Sequence, residues 1–169
     1  MNSKLIRTLL RAALIASVIG AGSFSVAEEA ADDLQAGIDA FNQGDLPGAM
    51  ALYEKAAEAG SPEAQVRLGF LLDHAEDNEK AVHWYRAAAD QGYPDGLGGL
   101  AEMYAKGEGV PRDPAKAREL FEKAGEAGHA PSIRVLIAAY DQGGLDVERD
   151  VSKLAYWQDK QASLNTSED

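Results

Sequence analysis

The strongest constraint on this chain is a twelve-residue pattern that occurs four times and always opens on aspartate. The four stretches are Asp45–Ala56, Asp77–Ala88, Asp113–Ala124 and Asp150–Gln161, and their starts are 32, 36 and 37 residues apart. Repetition at such a period is the mark of an array of small supersecondary units, each too small to bury a hydrophobic face alone. The leading aspartates read as helix N-caps, whose carboxylates accept bonds from free backbone N–H groups and face the positive helix end. Pro114, next after Asp113, sits where its missing N–H costs nothing.

Four residues after each aspartate come Ala49, Ala81, Ala117 and Leu154, and three further on Leu52, Trp84, Leu120 and Trp157. That spacing marks one buried helical face. The small residue admits a neighbouring helix, and the large one fills the space beyond. Gly60, Gly92 and Gly128 then stand where a helix ends in the left-handed region, with Pro62, Pro94 and Pro131 near the next start. The following helix aligns Leu68, Leu100 and Leu136, then Leu72, Tyr104 and Tyr140; Phe41 is assigned to this last column in the first unit.

Each unit therefore reads as helix A, turn, helix B, turn. The anchors Leu52, Trp84 and Leu120 are each followed 16 residues later by the next A-helix leucine. All variation in length falls in the A-to-B turn, as a stack tolerating insertions on one rim requires.

The stretch from Leu100 to Ala124 carries a Leu-Ala pair, Tyr104, the turn Gly107-Glu108-Gly109-Val110, Asp113, Lys116-Ala117 and Leu120. In this it closely resembles the Sel1-like repeat, a relative of the tetratricopeptide repeat. Leu68-Gly69 and Lys80-Ala81 with Trp84 match the same pattern around a shorter turn. The first unit, Gly37 to Asp45, is nearer the tetratricopeptide form. In the fourth, Ile137 replaces the small residue and Gly143-Gly144-Leu145 is a loose version of the turn.

The resemblance implies an all-α fold, a right-handed α-solenoid of about four antiparallel helix pairs. Its domain spans 34–165, preceded by a short acidic linker at 28–33 and followed by a polar tail at 166–169. It also implies a groove lined by helix A that binds a protein segment. Carried over by position, the groove residues are Phe70 and His74, then Glu102 and Lys106, then Arg134 and Asp141. Phe70 either anchors a partner or packs against a neighbouring helix. The charged residues either contact a partner or form a solvated face.

Residues 1–27 read as a secretory signal: Lys4, Arg7 and Arg11, an uncharged run from Ala12 to Phe24, then Ser25-Val26-Ala27. Cleavage is expected after Ala27. The 13-residue run is short of the ~20 residues that span a bilayer, which disfavours the rival reading as an anchor. The expected location is the bacterial periplasm or outside the cell, with no stable membrane insertion. Losing the leader's three basic residues takes the formal charge from −12 to −15. Such a surface repels nucleic acid and anionic headgroups; it suits a basic partner, and it also simply keeps a protein in solution.

The expected function is a non-catalytic protein-interaction scaffold of the cell envelope. No cysteine is present, so disulfides, thiolate catalysis and cysteine metal sites are absent. The β-lactam binding or hydrolysis linked to some cysteine-rich relatives does not transfer. There is no Gly-x-Ser-x-Gly elbow, Walker loop or His-Glu-x-x-His motif. His74, His83 and His129 lack metal-ligand spacing, and no catalytic residue, cofactor or metal is expected. Peptidoglycan or carbohydrate binding is the alternative, and aromatics falling mainly in core columns argue against it. The last helix, with Leu154, Tyr156 and Trp157, is followed by no obvious covering helix, which makes the C-terminal end a candidate surface for self-association.

Overall fold

A computed structural model describes residues 26–166. Among them are eight helices: α1 over 26–42, then α2 Leu46–Glu58, α3 Pro62–His74, α4 Asn78–Asp90, α5 Pro94–Lys106, α6 Pro114–Glu126, α7 Ala130–Gln142 and α8 Val151–Thr166. The expected signal at residues 1–27 lies almost wholly outside the described residues. The segment 28–33 is not the linker expected of it. It is helical, and Ala30 within it is buried. Glu28, Glu29 and Asp32 are exposed, and Asp33 is half-buried.

The chain forms two compact units that divide after Ser61. In the first, α1 and α2 form one helix pair. Tyr53 of α2 is 1% exposed and lies where a Cβ on Gly37 of α1 would come within 2.7 Å of its ring. Lys55 ties α2 back to Asp33 at 2.8 Å. Phe41 is 38% exposed, against the expectation for its column. The Asp45 N–H donates to the Ala40 carbonyl, just as Asp77 donates to Leu72, Asp113 to Tyr104 and Asp150 to Tyr140. Ala40, not Phe41, therefore holds that column. The step from Ala40 to Ala49 becomes nine residues, matching Leu72 to Ala81 in the next pair.

In the second unit three helix pairs follow one another. Each helix packs on its chain neighbours from α3 to α8, and α3 also packs on α5. Every B-to-A connection is three residues, and the A-to-B connections are three, seven and eight. Both long turns fold back on the helix B before them. In the first, a Cβ on Gly109 would collide with the Asn78 carbonyl at the start of α4. In the second, the Arg118 guanidinium on α6 donates to the Leu145 carbonyl at 2.9 Å.

Three of the four aspartates cap as expected. Asp45 accepts from the Gly48 N–H at 3.0 Å, Asp113 from Lys116 at 2.9 Å, and Asp150 from Ser152 and Lys153. Asp77 makes no such bond; its carboxylate pairs with the Lys80 ammonium at 2.6 Å instead. Gly60, Gly92 and Gly128 all have φ between +74° and +93°, the region glycine enters at no steric cost.

In α2 and α4 the helix B core sits one residue later than its apolar spacing suggests, whereas Leu120 of α6 and Trp157 of α8 are buried in the expected column. Leu52 and Trp84 are half-buried, and Tyr53, Tyr85 and Phe121 are the deeply buried aromatics. A one-residue step turns a helix by only ~100°, so both positions fit a wide apolar face. The deeper one is decided by where the A helix lies.

Candidate interaction face on the A helices

The six residues assigned to the groove are all exposed, on α3, α5 and α7. Phe70 is 44% exposed, so packing against a neighbour does not account for it. Its ring lies 4.0 Å from that of His74, whose Nδ1 is 3.0 Å from the Phe70 carbonyl. This is one aromatic step on the outer face of α3. Glu102 and Lys106 hold the same two positions on α5 and pair weakly at 3.9 Å. The charges of Glu102 and of Arg134 on α7 act in opposite directions on the His129 imidazole. Asp141 departs from the group and pairs at 3.9 Å with Arg149 in the long turn.

Tyr85 is a member of this face that apolar spacing does not reveal. It belongs to α4, and its ring passes between two A helices. A Cβ on Gly69 of α3 would come within 3.0 Å of it, and one on Gly99 of α5 within 2.6 Å. The side chain is 6% exposed. Burial pushes the phenol pKa up, and the negative charges of Asp73 and Glu102 push it further. Asp73 lies one turn beyond Gly69 and Glu102 three residues beyond Gly99. The pair of glycines, Gly69 and Gly99, was the available signal: each marks a close approach.

His129 joins α7 to α5. As the N-cap of α7 it accepts the Ser132 N–H on Nδ1 at 3.3 Å, and the same nitrogen lies 2.7 Å from Ser132 Oγ. Its Nε2 is 3.4 Å from Asp95 on α5. Burial is the largest influence and lowers the imidazole pKa; Asp95 and Glu102 pull it up, and Arg134 pushes it down. The row Asp95, His129, Ser132 has the membership of a hydrolytic triad. Ser132, however, is fully buried, and a nucleophile needs access to its substrate. Here the row caps a helix. Among the described residues no three His, Asp or Glu side chains converge as metal ligands would.

At the C-terminal end, Val151 and Tyr156 of α8 are 64% and 49% exposed. The Tyr156 hydroxyl donates to Glu126 at 2.6 Å, and Lys160 pairs with the same carboxylate. Trp157 packs inward as expected.

The Sel1 repeat model matches residues 36–61, 62–93 and 94–129, more than half of the chain. These are the pairs α1–α2, α3–α4 and α5–α6; α7 and α8 lie outside the matched stretches. A Sel1 repeat protein from Oxalobacter formigenes superposes with a TM-score of 0.72 at 26% identity, over 80% of this chain and 58% of that one. A protective antigen of uropathogenic Escherichia coli with an SLR fold gives a TM-score of 0.71 at 33% identity, over 79% of this chain and 30% of that one. The DAP3-binding cell death enhancer 1 of Rattus norvegicus is 34% identical over 86 residues, 50% of this chain and 17% of that protein. The chain spans about a fifth of the length of the curated relatives it matches.

Proposed function

Because the chain belongs to the Sel1 repeat family, we propose that it is a non-catalytic scaffold of the bacterial cell envelope that holds a protein segment against the A-helix face of its second unit. Sel1 repeat proteins generally serve as protein-interaction scaffolds. The observation that carries the finer reading is the exposed Phe70–His74 step, in the same positions as Glu102 and Lys106 one repeat on. An exposed aromatic beside charged positions is what a recognition surface needs: an apolar anchor and groups that orient the ligand.

The test is a photo-crosslinking side chain placed at residue 70, at 138 on α7, or at exposed His83 on α4 as a control, in native cells. A discrete adduct from 70 and 138 that is absent from 83, with the adduct from 138 lost on Phe70→Ala/Arg134→Ala, supports the reading. Equal adducts from all three positions, or none, count against it. Export through the leader at 1–27 belongs to the same proposal. N-terminal sequencing of the cell-derived protein should begin at Glu28.

A further inference from the structure

We infer that the cleft between α4 and α6, floored by α5, is a second binding site, and that it takes an acidic side chain of a partner protein segment. Its wall lacks a carboxylate that the next cleft along the array supplies from within. The site is separate from the A-helix face: Leu97, Leu100 and Tyr104 line it, and at ~100° per residue they lie on the opposite side of α5 from Glu102 and Lys106.

Two successive clefts of the second unit correspond residue by residue. The one between α6 and α8 holds its own carboxylate. Glu122 of α6 accepts a hydrogen bond from the Tyr140 hydroxyl at 2.6 Å and lies 3.7 Å from the Lys153 ammonium, which also donates to Tyr140 at 3.1 Å. One turn on, Glu126 pairs with Lys160 and accepts from Tyr156. Acids of one B helix thus meet bases of the next.

The cleft between α4 and α6 has the same frame. Tyr104 corresponds to Tyr140, because the N–H of the following cap aspartate donates to the carbonyl of each. Lys116 corresponds to Lys153, each donating its backbone N–H to the aspartate three residues back. Nine residues after the cap aspartate, where α6 carries Glu122, α4 carries Arg86. A cation therefore stands where the phenol and ammonium of the next cleft find their carboxylate. Among the described residues no hydrogen bond or ion pair holds the Arg86 guanidinium or the Tyr104 hydroxyl, and solvent reaches that hydroxyl.

Arg86, Lys116 and Lys123 line a cleft of about 390 Å³ whose floor includes Leu97, Leu100 and Leu120; Asp90 is the one acid in its lining. Glu119, on the same helix as the two lysines, engages them at 3.0 and 2.8 Å. The chain as a whole carries a net charge of −12, which repels an extended polyanion such as nucleic acid or an anionic bilayer. A single carboxylate meets only the local cluster of cations. The volume is near the lower end of the ~300–1,000 Å³ usual for ligand clefts, room for a side chain and its neighbour. A carboxylate accepts from guanidinium, ammonium and phenol together, and the leucine floor suits an apolar residue beside it.

Random twelve-residue peptides displayed on phage, selected on the full-length protein and counter-selected on Arg86→Glu, test the site. Survivors should carry aspartate or glutamate beside an apolar residue. Replacing that acid by its amide, or Lys116→Ala in the protein, should each weaken binding about tenfold, the loss of one charge-assisted hydrogen bond. Tyr104→Phe should weaken it about threefold. Glu119→Gln, which releases both lysines, should tighten it about threefold. Phe70→Ala should leave it unchanged, so this site and the A-helix face fail separately. Arg86→Glu should itself raise the melting temperature by about 2 °C, as the new carboxylate pairs with Lys116 in the manner of Glu122 and Lys153. No survivors, survivors whose amides bind equally well, or an Arg86→Glu protein no more stable than the parent would overturn the proposal. Displacement of the peptides by an equal concentration of inorganic phosphate would show a general anion site and overturn the protein-segment assignment.

Discussion

Helix α6 and helix α8 hold the same place in consecutive pairs, yet they are held very differently. In α6, Pro114, Ala117, Leu120, Phe121, Ala124 and Gly125 are buried, because A helices pack on both sides of it, α5 before and α7 after. In α8 Trp157 is the buried residue, because α7 is the one A helix packed along it, with α6 reaching it through Gly125 and Glu126. Both helices start from a capped aspartate and both carry the apolar anchor. The difference teaches that a helix B in this array draws part of its burial from the next repeat, so a pattern that suffices in the middle leaves the last copy thinly attached.

The largest predicted effect breaks that comparison. Trp157→Ala should cost about 3–5 kcal/mol, the usual loss for a buried aromatic, and should leave α8 exchanging its amide protons freely while α6 stays protected. Leu120→Ala should cost about 2–5 kcal/mol without unravelling α6, which keeps its other buried residues. Urea unfolding with hydrogen exchange separates the two outcomes. Gly125→Ala tests the same contact from the other side. Its Cβ would fall 2.8 Å from the Trp157 ring, and overpacking of this kind costs about 1–3 kcal/mol. An unchanged melting temperature would mean that α8 moves away at little cost.

The caps give a smaller and sharper contrast. Asp113→Ala should cost about 1 kcal/mol, and Asp77→Ala no more than a few tenths, as for an exposed ion pair. Equal losses in thermal melts would show that Asp77 caps α4 in solution. The smallest effect is in pH. The folded His129 has its pKa lowered from the usual 6.5, chiefly by burial, so folding favours the neutral ring. Its contribution is complete above pH 6.5 and is lost as pH falls through the lower folded value. His129→Asn keeps a cap acceptor and removes the titration. Its stability relative to the parent should therefore rise as the pH is lowered across that window.

Much of the fold was legible in the residues. The Asp–Ala spacing, the stop glycines and the constant step between repeats are local signals. A cap is read from the residue before a helix and a stop from the residue after it. What was misread depended on neighbours. Phe41 entered a core column because it is large and apolar, while the bond from Asp45 to Ala40 places the register one residue earlier. Trp84 was preferred to Tyr85 because both fit the apolar face. At the candidate site, position alone brought Phe70, His74, Glu102, Lys106 and Arg134 to exposed places on the A helices, whereas Asp141 turned to Arg149. Tyr85 went unnoticed because its role depends on a ring crossing between two helices 30 residues apart in their glycines.

By itself, then, the sequence determined the repeat, its helix pairs, their caps and stops, and the family they belong to, since each of these is written within one turn of helix. Only the tertiary structure decided which aromatic lies deepest, how loosely α8 is held, and that the Tyr85 ring is held between Gly69 and Gly99. Those outcomes depend on the separation of helices in space, which periodicity along a single helix does not encode.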